Sequence, residues 1–219
     1  MSIPSFIVGH VGCYELDDAI CWRSGFAVDA DGGRHCYKVG GGGLDSLHNA
    51  MHDVHDTDLV HPEHGWAGIY VDKNGDPVAV DGYYISMTAM GDPAFGDADP
   101  RRYVDSETVA YLSIPPQLEH QGVKLGDVGL ALYRQTSCAA IIADVGPAGR
   151  LGEGSIALAT ALGLPCSPRD GGISYGVRYI IWPGSAAEPR WPRTQLSIDS
   201  QASTLLAAWG GMERLRTAV

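Results

Sequence analysis

Two acidic residues stand in the segment of the chain best suited to hydrolytic chemistry. Residues 139–163 read AAIIADVGPAGRLGEGSIALATALG, so an apolar run leads to Asp144, and Glu153 follows among glycines. A carboxylate at the end of a strand or in the adjoining loop can be aimed into a cleft by the rigid scaffold behind it. The pattern therefore singles out Asp144 and Glu153 as candidate catalytic residues.

Hydrolysis of a glycosidic bond suits such a pair, because it needs two carboxyl groups in different protonation states. One donates a proton to the leaving oxygen, and the other activates water or attacks the sugar carbon. Asp144 follows a buried run, so desolvation is expected to raise its pKa, whereas Glu153 is expected to stay solvated and ionised. The reverse assignment is physically possible. A purely structural reading also exists, in which Asp144 closes a turn and Glu153 serves a helix start.

Other motifs give weaker evidence for a functional site. His48, His52 and His55 share one face of a helix and could hold zinc, but no HExxH motif or cysteine partner accompanies them. A solvated or pH-sensitive face is the favoured interpretation, and no metal site or cofactor is predicted. Asp29 and Asp31 begin like a calcium loop, but the later ligands and the closing Glu are missing, which favours a turn. The chain has no G-x-S-x-G motif for serine chemistry.

Composition limits the classes of partner. The 219 residues are 45% hydrophobic and 19% charged, with a formal net charge of −11, which describes a globular chain with one sizeable core. An acidic surface repels nucleic acid and anionic membranes and favours cationic ligands, although solubility alone also explains it. No apolar run has the roughly 20 residues that a membrane span needs.

The first residues and the cysteines bear on location. The N-terminus has no basic stretch before an apolar core, so no signal peptide is predicted, and the sequence leaves the location open. The odd count of five cysteines favours reduced, buried thiols. The three N-terminal cysteines could pair if the protein is exported.

The elements that must position these residues are short. Many brief apolar runs bounded by glycine and proline predict a mostly β barrel with few helices. The predicted strands cover residues 25–28, 67–71, 82–88, 109–114, 129–134, 139–143 and 176–182. Helices are predicted over 44–54, over 155–162 with Ser155 as its cap, and over 200–217. A break in composition near Ser185 divides a single barrel domain, 1–185, from a C-terminal extension, 186–219, that is expected to be helical.

The order of several motifs resembles the fungal-type chitosanases of glycoside hydrolase family 75. The resembling stretches are 26–32 (FAVDADG), 43–50 (GLDSLHNA), 66–77 (WAGIYVDKNGDP), 82–89 (GYYISMTA), 102–105 (RYVD), 126–127, 144–158 and 183–185. The resemblance implies hydrolysis of β-1,4 links in chitosan with inversion, with Asp144 and Glu153 as the essential acids. The His-rich insert 48–64 and the tail after Ser185 do not match the family.

The same stretches supply candidate residues for binding a polysaccharide. Aromatic side chains can serve as sugar platforms, and Asp31 and Asp105 could pair substrate amines. Tyr83 and Tyr84 should face opposite sides of a strand, and Tyr84 is favoured as the ligand-facing one. The substrate-binding candidates are Asp29, Asp31, Trp66, Tyr84, Tyr103 and Asp105.

The likeness to double-psi β-barrel proteins refines the expected fold. In those proteins a strand ends in Asp-x-Gly-Pro and a short helix follows, as at residues 144–147 here. A six-stranded double-psi β-barrel-like core with insertions is therefore expected. Two alternative functions stay open: a hydrolase of peptidoglycan glycan strands, delivered without a leader, and a carbohydrate-binding barrel without turnover.

Overall fold

Strands dominate the computed structural model, which describes residues 3–50 and 66–219. The strands are β1 (Phe6–Val8), β2 (Val11–Leu16), β3 (Ala19–Asp29), β4 (Ala79–Val80), β5 (Tyr83–Tyr84), β6 (Tyr111–Ile114), β7 (Val128–Tyr133), β8 (Thr136–Val145), β9 (Glu153–Ser155) and β10 (Ile173–Trp182). The α-helices are α1 (Pro116–His120), α2 (Ile156–Ala161), α3 (Gln195–Trp209) and α4 (Gly211–Ala218), with 3₁₀ turns at Leu47–Ala50 and Pro100–Arg102.

Six of these strands close into a barrel in the order β3, β10, β7, β8, β6, β9 and back to β3. The pairs β3–β9 and β6–β8 are parallel, and the other contacts of the ring are antiparallel. Strands β1 and β2 form a hairpin that extends the sheet beyond the barrel, because β2 pairs with β3 and β1 pairs with β2. The expectation of a mostly β protein with a six-stranded barrel core and a few short helices is confirmed.

Alternation along the strands divides the buried side chains between the two faces of the barrel wall. Leu112 and Ile142 belong to a cluster that fills the interior, where the rings of Trp22 and Tyr179 stack with their centroids 4.9 Å apart. Their neighbours in sequence, such as Ile141, belong to a second cluster on the outer face. This double-sided burial explains why the barrel strands read as continuous apolar runs rather than alternating ones.

The C-terminal helices cover part of that outer face. Thr194 caps α3, and Gly210, with φ of 119°, separates α3 from α4. Trp209 is 3% exposed, and its indole nitrogen donates to the backbone oxygen of Leu16 at 2.9 Å. The helix therefore begins earlier than the sequence predicted and breaks in two, and it packs on the same core as the barrel.

The described parts of the long connection between β3 and β6, residues 30–50 and 66–110, form a lobe that we call the insert. A small third cluster around Cys36, Tyr37 and Ile69 holds it together. Only isolated bridges and the β4–β5 hairpin occur where strands were predicted over 67–71 and 82–88. The helix predicted over 44–54 is a single 3₁₀ turn in its described part. The rest of it, together with His52 and His55 of the histidine face that was interpreted as solvated or pH-sensitive, lies outside the described residues.

All five cysteines are unpaired. Burial raises the pKa of the Cys13 and Cys21 thiols to about 12, which keeps them in the unreactive protonated form.

None of the described helices has both the length and the apolar character needed to cross a membrane.

We expect the substitution Trp209→Ala to lower the free energy of unfolding by about 3–5 kcal/mol, because it removes a large buried side chain and a hydrogen bond to β2. Urea denaturation followed by circular dichroism measures the change. Leu196→Ala is the matched control on the same helix: Leu196 is 79% exposed, so a change below about 0.5 kcal/mol is expected. Equal effects from the two would mean that the tail is not part of the core.

Candidate active site

The strand register brings Asp144 and Glu153 to one face of the barrel. Ser113 on β6 lies opposite Asp144 on β8 and opposite Glu153 on β9. Residues directly opposite each other on paired strands project from the same face. Because β8 and β9 flank β6, the Cα atoms of the two acids lie roughly 10 Å apart, two strand spacings. The two candidates therefore converge.

A bulge in β8 aims Asp144. The register passes from the pair Leu112–Ile142 directly to the pair Ser113–Asp144, so Ala143 is the extra residue. Without it, Asp144 would follow Ile142 into the barrel interior, because side chains two apart share a face. Bulges are frequent next to active sites for this reason.

Two further aspartates complete the site. Ala27 on β3 lies opposite Glu153, so Asp29, two residues on, shares that face. Carboxylate oxygens of Asp29, Asp31 and Asp144 all lie within 4.8 Å of one another, and Glu153 acts electrostatically on Asp31 and Asp144. We call Asp29, Asp31, Asp144 and Glu153 the acid cluster.

Donors from the insert cover this cluster. The backbone N–H of Ala89 donates to Asp144 at 2.7 Å, and the Tyr37 hydroxyl donates to Asp31 at 3.0 Å. The backbone N–H of Asp31 donates to Asp29 at 2.8 Å. The site therefore lies in the crease between the outer barrel wall and the insert, where water is largely excluded.

Burial dominates the electrostatics of the acids. It raises the pKa of Asp29 to about 6, and burial together with the charge of Asp29 raises the pKa of Asp31 and Asp144 well above the ordinary aspartate range. Burial and Asp29 raise the pKa of Glu153 to about 7, against the lowering effect of Arg150. Burial therefore favours the protonated form of all four acids, and Arg150 opposes this effect at Glu153.

One expectation about Glu153 is corrected by this environment. The neighbouring glycines suggested a solvated and ordinary carboxylate, but Glu153 is half-buried on a strand that is paired on both sides. It is nevertheless the acid that meets open space, since it lines a cavity of about 250 Å³ together with Arg150 and Gly152.

Sequence reasoning missed Ser113. Its hydroxyl is buried and has no hydrogen-bond partner within the described residues. Beside it, a Cβ on Gly146 would come within 2.9 Å of the Ser113 hydroxyl and 2.5 Å of a Glu153 carboxylate oxygen. The available signal was a lone polar residue in the apolar strand β6. An unpaired buried hydroxyl next to two acids is suited to hold a water molecule.

The other predicted binding residues divide between the site and its surroundings. Trp66 and Tyr84 pack together in the insert, with ring centroids 5.7 Å apart, beside the cluster that contains Tyr37. Tyr103 is buried, and its hydroxyl donates to the Asp97 carbonyl at 2.9 Å. Asp105 accepts from the Glu107 backbone and the Thr108 hydroxyl, as turn-closing residues do. Asp29 and Asp31 thus join the candidate acids, whereas Tyr103 and Asp105 make local structural contacts.

The acid cluster also has the donor set of a cation site. Asp29, Asp31 and Asp144 each offer a carboxylate oxygen at a spacing that one ion could bridge. Oxygen ligands suit calcium or magnesium rather than zinc. Such an ion would compete with the shared protons, because each neutralises the same buried charge.

No family model matches the chain, and no curated protein matches it either.

Stability should depend on pH through the acid cluster. Since the folded-state pKa of Asp29 is about 6 and its ordinary value is 3.8, the folded protein keeps a proton that the unfolded chain releases. The free energy of unfolding is therefore highest below about pH 4 and falls as the pH rises through 6. We expect Asp29→Asn to remove part of this fall, gaining up to about 3 kcal/mol on the parent at pH 8 and little at pH 4.

Urea denaturation at pH 4 and pH 8 measures this difference. Asp18→Asn, at an exposed turn position, is the matched control and should change stability equally at both pH values. A parent protein that is more stable at pH 8 than at pH 4 would contradict the proton-sharing description of the cluster.

Proposed function

We propose that the protein is a glycoside hydrolase that cleaves β-1,4 links in an amino-sugar polymer of the chitosan type. The observation that carries the proposal is the row Asp144, Ser113, Glu153 on one barrel face, in which Asp144 is buried against the Ala89 N–H and Glu153 lines a cavity beside Arg150. Two carboxyl groups that hold their protons unequally are the requirement of glycosidic hydrolysis. The resemblance of residues 144–158 to family 75 chitosanases supports the same pair.

In the proposed mechanism, Asp144 is the acid and Glu153 the base. Asp144 gives its proton to the leaving glycosidic oxygen as that bond breaks. Glu153 takes a proton from the water whose oxygen bonds to the anomeric carbon, and Arg150 favours the ionised form of Glu153 before the step. The proposed outcome is inversion of configuration, which requires room for that water between carboxyl groups about 6.5–9.5 Å apart.

The remaining acids prepare the next turnover. Carboxylate oxygens of Asp29 and Asp31 lie within 4.8 Å of one on Asp144, so in the proposed mechanism they return a proton to it once product leaves. Ser113 orients the attacking water toward Glu153. The substrate enters along the crease, with Trp66 and Tyr84 as the aromatic surface on the insert side.

Two alternatives differ in substrate or in activity. A peptidoglycan glycan strand needs the same two-carboxyl chemistry, and Arg150 beside Glu153 favours it over a cationic polymer at that end of the site. A non-catalytic carbohydrate-binding barrel needs no pair of acids on one face, which makes it the weakest of the three.

Substitution of either acid should abolish hydrolysis. We expect Glu153→Gln and Asp144→Asn to lower kcat by about 10²–10⁴-fold, because each removes a proton transfer in the transition state. Reducing ends released from chitosan oligomers, and from sacculi in parallel, give the rate. Glu119→Gln, on the exposed side of α1, is the matched control and should leave the rate unchanged.

Parent-like turnover in either variant would rule out the two-carboxyl mechanism. Product stereochemistry gives an independent reading: proton NMR of the first product should show the α-anomer. A β-anomer would mean retention and a covalent intermediate, and would overturn the role given to Glu153.

The space beside Gly146 should be needed for catalysis. Gly146→Ala places a methyl group against Ser113 and Glu153, where the attacking water is expected. Because a displacement of about 1 Å at the reacting atoms can cost 10²-fold, we expect kcat to fall by about that factor while the melting temperature stays near that of the parent. Gly96→Ala is the control, since a Cβ there meets nothing within 4 Å. Full activity of Gly146→Ala would remove Ser113 and its neighbouring space from the mechanism.

A further inference from the structure

A groove leads away from Glu153 along the outer side of β3. The cavity of about 250 Å³ that Glu153 lines is adjacent to one of about 390 Å³, and the two share the lining residues Val11, Ser24, Gly25 and Ser174. Volumes of this order suit small-ligand sites. Because Glu153 lines the smaller cavity, a sugar next to the bond that Glu153 acts on would extend toward this groove.

The charge of this groove is opposite to that of the whole chain. Arg150 lines it beside Glu153, and Arg23 and His10 line its far part. Among the described residues that line the two cavities, Glu153 is the only acidic side chain, and Arg150 lies beside it. Val219, the last residue of the sequence, also lines the larger cavity. The formal net charge of the chain is −11, so the two arginines at one acidic side chain make this part of the surface less negative than the chain as a whole.

The positive charge of Arg23 has no acidic partner among the described residues. Its Nε is buried and has no hydrogen-bond partner among the described residues. Across the β3–β10 pair it lies directly opposite Arg178, an arrangement of like charges that destabilises a sheet. Arg178 donates to the backbone oxygen of Val219 at 2.8 Å, whereas Arg23 makes no ion pair with a described residue. An anion bound in the groove would remove this cost.

An exposed tyrosine stands over the same arginine. The register of β10 shifts between Ile173 and Val177, and this bulge carries Tyr175 outward, where it is 61% exposed. The Arg23 guanidinium lies 4.6 Å from the centre of the Tyr175 ring. The stacking fixes the plane of the guanidinium and leaves its edge for a ligand, while Tyr175 offers an aromatic edge and hydroxyl to a sugar.

We propose that this groove binds a sugar that carries a carboxylate, so that the substrate is an anionic amino-sugar polymer such as a peptidoglycan glycan strand with free lactyl groups. The inference rests on the proposed two-carboxyl chemistry and, for the substrate, favours the peptidoglycan alternative over chitosan. Arg23 accepts the carboxylate through parallel N–H···O bonds, and Arg150 adds a second positive charge nearer the cleaved bond. The ammonium group of glucosamine would be repelled from the same position.

The experiment compares peptide-free glycan strands with the same strands after their carboxylates have been converted to methylamides. Hydrolysis by the parent, Arg23→Gln and Arg150→Gln is measured as kcat and KM on both samples and on chitosan. Binding of both strand samples to the Asp144→Asn variant, alone and combined with Arg23→Gln, is measured by calorimetry. Arg190→Gln, an exposed arginine of the C-terminal segment, is the matched control.

We expect Arg23→Gln to weaken kcat/KM on the native strands by about 10- to 100-fold, chiefly through KM, and to have no effect on the methylamide strands or on chitosan. Equal losses on native and amidated strands, or a parent protein that prefers chitosan, would overturn the anionic subsite while leaving the hydrolase proposal intact. Arg23-dependent binding without hydrolysis of any polymer would support the subsite and overturn the hydrolase.

Discussion

The structure depends on keeping four carboxyl groups out of water and close together. At a separation of 4.8 Å, two ionised carboxylates near a protein surface repel each other by about 3 kcal/mol, so a cluster of this kind cannot ionise fully without straining the fold. The surrounding elements hold the carboxyl groups together in spite of this repulsion. The closed barrel holds the strands rigidly, the bulge at Ala143 turns Asp144 onto the shared face, and the insert supplies the Ala89 and Tyr37 donors. Glu153 differs from Asp144 in lining a cavity beside Arg150, which favours its ionised form.

The sequence predicted the parts of this arrangement that leave a local signal. Continuous apolar runs identified the barrel strands β6, β7, β8 and β10, because both of their faces are buried. Ser155 identified the start of α2, and its hydroxyl does accept from the Leu158 backbone at 3.1 Å. Asp144 and Glu153 stood out by their position next to a strand and among glycines. In each case the structural cause lies within a few residues of the signal.

The parts that could not be predicted arise from contacts distant in sequence. Strand β9 is the three residues Glu-Gly-Ser, which have no strand propensity of their own and are extended only because β3 and β6 pair with them on both sides. Ser113 can be recognised as a candidate site residue only from the register of those same strand pairs. The tail after Ser185 looked separable because its composition changes, yet Trp209 reaches β2 at the far end of the chain. Composition reports local polarity and cannot report which surface a helix will cover.

The net charge of the chain also differs from the charge close to the groove. The net charge of the chain favours a cationic polymer, but the Debye length at physiological ionic strength is about 8 Å, so exposed acids farther away than that are largely screened from a ligand in the groove. The side chains that line the groove are the half-buried Arg23 and the exposed Arg150. A buried donor without a partner costs stability, and the fold carries that cost at Arg23, on a strand whose neighbour places Arg178 directly opposite. The local charge, rather than the total, is therefore what the proposed anionic subsite depends on.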